Sequence, residues 1–223
     1  MNSKRKAFVT GGSRGIGAAI VRELGRQGFE IWSPERAELD LGTMSSIDHF
    51  VKAHDGRVDV LVNNAGINDL KTIHQLDAAT WDQMQQVNLA APLRLIQWVT
   101  PFMREQKWGR ILNVSSVFSL VTKEKRCAYS MTKAALNALT RSAAVEFGPD
   151  GILVNSLCPG YVETEMTSRN NSPADLEKIK ETIPLRRLAL PDELARVAGF
   201  LCSEENTYIT GQAVVADGGF TCQ

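Results

Sequence analysis

The sequence has few of the features that mark a membrane, secreted or nucleic-acid-binding protein. No apolar run approaches the ~18 residues that a membrane-spanning helix needs. Only three apolar residues separate the basic start from a glycine turn, so we expect no signal peptide. The 25 Lys and Arg balance 25 Asp and Glu, which disfavours a protein that coats nucleic acid or an anionic membrane. We therefore expect a cytoplasmic protein without a nucleic-acid or membrane partner.

Metal-binding and disulfide patterns are also missing. The four cysteines, Cys127, Cys158, Cys202 and Cys222, form no C-x-x-C pair and have no metal-ligand spacing. Free thiols are typical of a reducing compartment. We expect reduced cysteines and no bound metal.

The pattern that is present predicts one α/β domain over residues 1–223. With 43% hydrophobic residues, the chain can bury a substantial core. Short β-rich runs alternate with longer helical periodicities, which indicates a doubly wound parallel sheet with helices on both faces. The predicted strands are Ala7–Thr10, Glu30–Ser33, Val58–Asn63, Arg110–Ser115, Ile152–Cys158 and Ala213–Ala216. The predicted helices are Gly15–Gln27, Ser45–Ala53, Thr80–Gln106, Ala128–Phe147, Ala174–Glu181 and Pro191–Leu201.

The least regular part of the sequence is the stretch 163–190, which contains Asn170-Asn171-Ser172-Pro173 and a further proline at 184. Long loops with a short helix of their own often act as lids over a binding site. We expect a substrate lid here, although a surface excursion without a function has the same composition.

A glycine-rich turn, TGGSRGIG at 10–17, follows the first predicted strand and leads directly into a helix. Glycines there let the backbone approach a pyrophosphate, which then binds the free amides of the helix N-terminus. Glycine turns also serve structural purposes alone. The position between strand and helix favours a dinucleotide site.

Tyr129 and Lys133 lie four residues apart in a predicted helix, so their side chains share one face. An ammonium group near a phenol lowers the phenol pKa from ~10 toward neutrality, as proton transfer at a carbonyl oxygen requires. Ser115 and Ser116 end the preceding strand, at the edge where a doubly wound sheet binds its ligands. The same spacing also arises by chance on amphipathic helices.

Pro92 lies four residues after Asn88 in a predicted helix. Because proline has no N–H, the carbonyl of Asn88 loses its helical partner. That carbonyl could hold a water that reaches Lys133, or the proline could produce a kink without a chemical role.

These motifs together resemble the short-chain dehydrogenase/reductase family over nearly the whole chain. They are Thr10-Gly11 with Gly15 and Gly17, Asn63-Asn64-Ala65-Gly66, Asn88, Ser116, Tyr129-x-x-x-Lys133 and Pro159-Gly160, with the serine thirteen residues before the tyrosine. The C-terminal segments 183–185, 191–193 and 208–219 resemble the 3-oxoacyl-carrier-protein reductase branch.

The resemblance implies a Rossmann fold and a role for each matched residue. Tyr129 would be the general acid in reduction, Lys133 would lower its pKa and hold the nicotinamide ribose, Ser116 would bind the carbonyl oxygen, and Asn88 would anchor a proton relay. The cofactor would contact Gly11, Ser13, Arg14, Gly15, Ile16, Gly17, Ser33, Arg36, Asp40, Leu41, Asn63, Ala65, Gly66, Tyr129, Lys133, Pro159, Gly160, Val162 and Thr164.

The chain departs from the family between Ser33 and Asp40, where six residues replace a crossover that needs a dozen or more. We expect the helix between the second and third family strands to be missing and the adenine side to be open. In this segment, Glu35 lies about where NAD enzymes place a carboxylate. Arg36 and Arg14 lie where NADP enzymes place cations for the 2′-phosphate. We favour NADP(H), because two guanidinium groups outweigh one carboxylate.

The sequence says less about the substrate. Lys123, Lys125 and Arg126 could attract an anionic substrate or an acidic carrier protein, although such a run is more typical of a solvated loop. In the lid, the apolar residues Leu176, Ile179 and Ile183 could cover an acyl chain or dock the lid on the core.

Three hypotheses remain for the function. The favoured one is an NADP(H)-dependent reductase of a 3-oxoacyl thioester, which would belong to fatty acid biosynthesis with acyl carrier protein as a partner. The second is an NAD(H)-linked dehydrogenase or reductase of a small polar alcohol, ketone or sugar. The third is a non-catalytic cofactor-binding regulator, which the complete catalytic set disfavours because binding alone does not need it.

The resemblance also implies a homo-oligomer, a dimer or tetramer, joined through the helices predicted at 80–106 and 128–147. The small and apolar residues for such a face are Ala134, Ala135, Ala138, Leu139 and Ala143, which would otherwise pack on the sheet.

Overall fold

A computed structural model describes residues 4–222 and has at its centre a six-stranded, fully parallel sheet. The strand order is β2-β1-β3-β4-β5-β6, so the chain starts near the middle of the sheet and winds outward in both directions. The predicted doubly wound α/β fold is confirmed. The strands are β1 (Lys6–Val9), β2 (Glu30–Trp32), β3 (Val60–Asn63), β4 (Gly109–Val114), β5 (Ile152–Pro159) and β6 (Ala213–Ala216).

Eight α-helices cover the sheet in the described part of the chain. They are α1 (Gly15–Arg26), α2 (Met44–Ala53), α3 (Ala78–Gln85), α4 (Ala91–Gln106), α5 (Cys127–Phe147), α6 (Glu165–Asn170), α7 (Pro173–Thr182) and α8 (Pro191–Cys202). Within residues 4–222, none of these helices combines the length and the apolar character needed to cross a bilayer.

The two faces of the sheet carry separate hydrophobic cores because alternate strand residues point in opposite directions. Phe8 packs with α2, α4 and α5 on one face, whereas its neighbours Ala7 and Val9 pack with α1 and α8 on the other. All residues of β3 and β4 are buried. This double burial explains why the strands read as continuous apolar runs without polar alternation.

The helix predicted at 80–106 is interrupted. A wide turn at Gln86–Ala90, with π-helical geometry, separates α3 from α4, and Pro92 lies in the first turn of α4. Proline cannot donate the hydrogen bond that would continue a regular helix through this point, so the disruption falls where the sequence predicted it.

The predicted shortening after β2 is confirmed. Residues 33–43 contain turns but neither a helix nor a strand, and the chain passes directly from there into α2. The helix expected to be missing is therefore absent from this segment, and the six strands are those predicted from the sequence. As a result, β2 pairs only with β1 and forms an edge of the sheet.

Candidate active site

A cleft of about 1010 Å³ lies at the carboxyl ends of β1, β3, β4 and β5. Eighteen of the nineteen residues expected to contact the cofactor line it, as do Ser116, Tyr129 and Lys133 of the expected catalytic set. Asn63 and Asn88 do not line it. The carboxyl edge of a doubly wound sheet is where such folds bind their ligands.

The turn between β1 and α1 is built for close approach of a ligand to the backbone. Gly11 and Gly15 have φ angles of +65° and +55°, which disfavour residues with a side chain. A Cβ atom added to Gly17 would lie 2.1 Å from the carbonyl oxygen of Gly11. The side-chain amide of Asn64 holds the turn by donating hydrogen bonds to the carbonyl oxygens of Thr10 and Gly11, each at 3.0 Å.

The first turn of α1 fits a pyrophosphate. Arg14 precedes the helix and offers no side-chain cap, and the first turn contains no acidic residue. The amides at this end of the helix are therefore not occupied by a side-chain acceptor, and the helix dipole favours an anion there.

Ser116, Tyr129 and Lys133 meet at the other end of the cleft. The Ser116 hydroxyl accepts a hydrogen bond from the amide of Phe118 at 3.2 Å, which fixes its position just after β4. Tyr129 and Lys133 lie one turn apart on α5, and the Lys133 ammonium lies 5.7 Å from the centre of the tyrosine ring. Lys133 Nζ donates to the carbonyl oxygen of Val114 at 2.7 Å.

Burial governs the pKa values of both groups. Desolvation raises the pKa of Tyr129 above its usual value, in contrast to the lowering expected from Lys133, and the Ser116 hydroxyl and the positive charge of Arg126 oppose that rise. Burial lowers the pKa of Lys133 to about 8. At neutral pH, Tyr129 therefore carries its proton and Lys133 is largely charged.

Asn88 is buried one layer behind the cleft. Its side chain accepts a hydrogen bond from the Ile67 amide and donates one to the Ile67 carbonyl, both at 2.9 Å. It also donates to Thr132 at 3.1 Å. A Cβ atom on Gly66 would lie 3.3 Å from both Asn88 Oδ1 and Lys133 Nζ. Asn88 thus holds the segment after β3 against α5, while the water held by its carbonyl stays a prediction.

Asn63 is placed away from the cleft, in contrast to the expectation. It is the last residue of β3, and its Nδ2 donates to Asn113 Oδ1 of the neighbouring strand at 2.9 Å. Because side chains alternate along a strand, the next residue, Asn64, lines the cleft instead.

The adenine side of the cleft is open and charged. Arg14 forms an ion pair with Glu165 of α6, and Arg36 Nε lies 3.4 Å from Asp40 Oδ1. Glu35 also lines the cleft here. The Arg36 side chain is 84% exposed because no strand or helix covers residues 33–43.

Several cleft residues were not found from the sequence. Gln83 and Val87 reach the cleft from α3 and the following turn, and Glu165, Met166 and Arg169 reach it from α6. The three on α6 belong to the segment predicted as a lid. Gln83 and Val87 carry no local signal, since their place in the cleft depends on how α3 packs in three dimensions.

The basic residues in the loop before α5 differ in exposure. Lys123 and Lys125 are exposed, as the solvated-loop interpretation expects. For Arg126 that interpretation is wrong, because this residue is only 4% exposed. In the segment predicted as a lid, Ile183 is buried, and Leu176 and Ile179 pack against the same apolar cluster.

Known proteins match nearly the whole chain. Residues 37–221 match the family model described as enoyl-(acyl carrier protein) reductase. The chain is 36% identical to the 3-oxoacyl-[acyl-carrier-protein] reductase FabG of Aquifex aeolicus, with 96% of each covered. It is 33% identical to the acetoacetyl-CoA reductase of Cupriavidus necator, with 97% of this chain and 98% of the relative covered.

A solved structure is also similar over nearly its full length. It is a gluconate 5-dehydrogenase from Burkholderia cenocepacia J2315 in complex with NADP and tartrate, at a TM-score of 0.93 and 28% identity, covering 98% of this chain and 96% of that one.

Proposed function

The chain belongs to the short-chain dehydrogenase/reductase family and is an NAD(P)-dependent oxidoreductase, and from that premise we propose that it reduces the ketone of a 3-oxoacyl thioester with NADPH. One observation carries the proposal. A single cleft contains both a turn that fits a pyrophosphate and the three side chains needed for carbonyl reduction, Ser116, Tyr129 and Lys133. A protein that only binds a nucleotide would not need those three groups.

The cofactor end of the cleft works through the backbone. The free amides of the first turn of α1 bind the pyrophosphate, and Ala65 and Gly66 leave room for the adenosine ribose. Pro159, Gly160 and Val162 bound the nicotinamide end. When bound, the nicotinamide supplies the hydride that reduces the carbonyl carbon.

The catalytic end works through buried hydroxyls. The Ser116 hydroxyl binds and orients the carbonyl oxygen. Tyr129 donates its proton to that oxygen, and its raised pKa keeps the proton available at neutral pH. Lys133 holds the nicotinamide ribose. Asn88, fixed by its three side-chain hydrogen bonds, anchors the relay that returns a proton toward Lys133.

NADP(H) is the proposed cofactor because Arg14 and Arg36 both lie at the open adenine end. Each pairs with a carboxylate, but the side chains are largely exposed and free to turn toward a 2′-phosphate. Glu35 opposes this choice. The similar gluconate 5-dehydrogenase structure contains NADP, which supports it.

A 3-oxoacyl thioester is the proposed substrate because two of the relatives are reductases of such compounds by name. An apolar cluster of Phe118, Tyr161 and Ile183 with the lid residues Leu176 and Ile179 packs against Tyr129, which lines the cleft, so a short acyl chain that extends past Tyr129 would contact it. The exposed cations Lys123 and Lys125 suit an acidic carrier protein, which would make fatty acid biosynthesis the pathway.

The test follows NADPH absorbance at 340 nm on addition of an acetoacetyl thioester. Oxidation that is fast with NADPH and slow with NADH is the expected result. Tyr129→Phe should lower the turnover by about 10³-fold, within the range of general-acid effects, and leave NADPH binding unchanged. NADPH binding without any oxidation of the cofactor would reject the thioester as substrate.

The alternative substrate is a small polar alcohol, ketone or sugar. The likeness to a gluconate 5-dehydrogenase with bound tartrate favours it. Oxidation of gluconate that is faster than reduction of the acetoacetyl thioester would establish this second function.

We also propose a cytoplasmic homo-oligomer, a dimer or tetramer. The four cysteines are free thiols, as expected in a reducing compartment. On α5, Met131, Ala134, Ala138 and Val145 form an exposed row at helical spacing, whereas Ala143 packs in the core. A monomer in light scattering at micromolar concentration would reject the oligomer.

A further inference from the structure

Arg126 is a buried guanidinium without a partner beside the reacting groups. It immediately precedes α5, one helical turn before Tyr129, and is only 4% exposed. Its side chain forms no hydrogen bond and no salt bridge with any residue in 4–222, and its Nε atom is fully buried without an acceptor. Burying a charge in this way destabilises the folded protein unless another group compensates the charge.

Arg110 shows how this chain treats an arginine that is structural. Arg110 is 5% exposed, almost the same as Arg126, and it stacks over the ring of Trp108. Its guanidinium donates to three backbone carbonyls, those of Ser203, Gly109 and Asn206, at 2.9–3.2 Å. Arg126 stacks over Phe118 at 5.1 Å in the same manner but has no such acceptors. Packing alone therefore does not explain why a charged residue is buried at position 126.

The groups that face Arg126 are aromatic or cationic. Besides burial, the hydroxyl groups of Tyr161 and Tyr129 are what shift its pKa. The ammonium group of Lys123 lies 5.4 Å from the centre of the Tyr161 ring. Within residues 4–222, no carboxylate forms a salt bridge with either Arg126 or Lys123.

Arg126 is also close to the reacting centre. Its stacking partner, Phe118, donates its backbone amide to the Ser116 hydroxyl, and the Phe118 ring lies 6.5 Å from the Tyr129 ring. A group bound by the guanidinium would thus sit a short distance from a carbonyl held by Ser116 and Tyr129.

We infer that Arg126 binds a carboxylate on the substrate, so that the substrate is a small oxo acid or its hydroxy acid. The inference rests on the proposed function for its reaction, the reduction of a 3-oxo group by NADPH at Ser116 and Tyr129, and it names the free acid instead of the thioester as the better substrate. A 3-oxo acid and a 3-oxoacyl thioester carry the same ketone, but the carboxyl group of the acid is a negatively charged carboxylate and the thioester group is neutral. A guanidinium binds a carboxylate through charge-assisted, often bidentate hydrogen bonds, which the neutral thioester cannot match.

The walls around Arg126 suit a short carbon chain between ketone and carboxylate. The ring centres of Phe118 and Tyr161 are 6.0 Å apart, and those of Tyr161 and Phe220 are 5.6 Å apart, and both pairs pack edge to face. These apolar surfaces contact hydrocarbon and exclude water, which strengthens the ion pair at its polar end.

The experiment compares acetoacetate with its neutral methyl ester as substrates for NADPH oxidation. The wild-type protein should prefer acetoacetate in kcat/KM. Arg126→Met should lose about 10- to 100-fold with acetoacetate, the usual range for hydrogen bonds to a charged group, and less than about threefold with the ester. Arg126→Lys should recover part of the loss. Arg57→Gln, which removes an exposed arginine outside the cleft, is the matched control for formal charge.

Stability provides a second readout. Replacement of an uncompensated buried charge by an apolar side chain is neutral or stabilising, so Arg126→Met should unfold at the same or a higher temperature. A purely structural arginine would instead lower both stability and the activity with every substrate, and that result would overturn the inference. Equal use of acid and ester by the wild-type protein would overturn it as well.

Calorimetry with acetoacetate and NADP⁺ separates this inference from the proposed function. Binding that Arg126→Met abolishes, without turnover in the wild-type protein, would support the carboxylate site and reject the reductase. Turnover of an acetoacetyl thioester without binding of acetoacetate would support the reductase and reject the carboxylate site.

Discussion

The two ends of the cleft differ in composition, because backbone groups form one end and buried side chains form the other. The phosphate end is made of backbone, with glycines at 11, 15 and 17 and helix amides, while its charged side chains, Arg14 and Arg36, are exposed. The catalytic end is made of buried side chains, and Asn88, Ser116, Arg126 and Lys133 are each at most 7% exposed. Burial itself shifts the pKa values of Tyr129 and Lys133, whereas exposure leaves the adenine-end charges screened by solvent.

This contrast predicts how each end responds to change. At the phosphate end, a backbone atom cannot be replaced by mutation, so only an added side chain can disrupt it. At the catalytic end, removal of one group alters the charge balance of the others. At the exposed adenine side, single charges should have graded and salt-dependent effects.

The largest expected effect comes from Gly17→Ala, which adds a side chain to the backbone-built end. The new Cβ would lie 2.1 Å from the Gly11 carbonyl oxygen and 2.4 Å from Asn64 Nδ2, so the turn must shift. We expect NADPH affinity to fall about 100-fold or more and the unfolding temperature to drop, since overpacking costs about 1–3 kcal/mol or more. Fluorescence titration and thermal unfolding measure the two effects.

Gly25→Ala, in the same helix, is the matched control. Its Cβ would meet nothing closer than Ile31 Cγ1 at 3.8 Å. It should stabilise the protein by about 0.5–1 kcal/mol through helix propensity and leave NADPH binding unchanged. Wild-type affinity in Gly17→Ala would contradict a phosphate end that depends on close backbone packing.

The contrast between the two ends also separates what sequence alone could predict from what it could not. The glycine turn and the shared helix face of Tyr129 and Lys133 were predictable from spacing along the chain, whereas the roles of Ser116, Tyr129 and Lys133 were implied by the resemblance to the family. The fold was predictable because strands buried on both faces are apolar throughout. These signals are local.

What the sequence could not predict depends on the packing of distant segments. Asn63 and Asn64 are both asparagines, so the sequence does not show which of them lines the cleft. That depends on the position at which β3 ends, which is Asn63, and Asn64 lines the cleft. Arg126 belongs to a basic run that is typical of a solvated loop, and its burial depends on Phe118 and Tyr161 from two other segments.

The next, smaller effect concerns the pH dependence of the free energy of unfolding, to which the buried Lys133 should contribute and an exposed lysine should not. The pKa of Lys133 is about 8 in the folded protein and lies near ~10.4 in the unfolded chain. Between these values the unfolded chain binds more protons, so the free energy of unfolding should rise with pH by up to about 1.4 kcal/mol per unit from this group. Lys133→Met should lack that part of the rise.

Denaturant unfolding at pH 8, 9 and 10 provides the measurement, taken as the difference between wild type and variant so that other titrating groups cancel. Lys52→Met, which removes an exposed lysine on α2, should keep the wild-type slope. A slope in Lys133→Met identical to that of the wild type would mean that Lys133 keeps its usual pKa in the folded protein.

The smallest expected effect lies at the open adenine side. Arg36→Ala should weaken NADPH binding by no more than about tenfold and leave NADH binding unchanged, because a largely exposed guanidinium interacts with a phosphate through screened charge. Glu35→Gln should act in the opposite direction and strengthen NADPH binding slightly, since its carboxylate would repel the same phosphate. Both effects should shrink when the titrations are repeated at high salt. A loss of 100-fold or more in Arg36→Ala that persists at high salt would show that residues 33–43 close over the nucleotide and bury the arginine when it binds, which would remove the contrast between the two ends of the cleft.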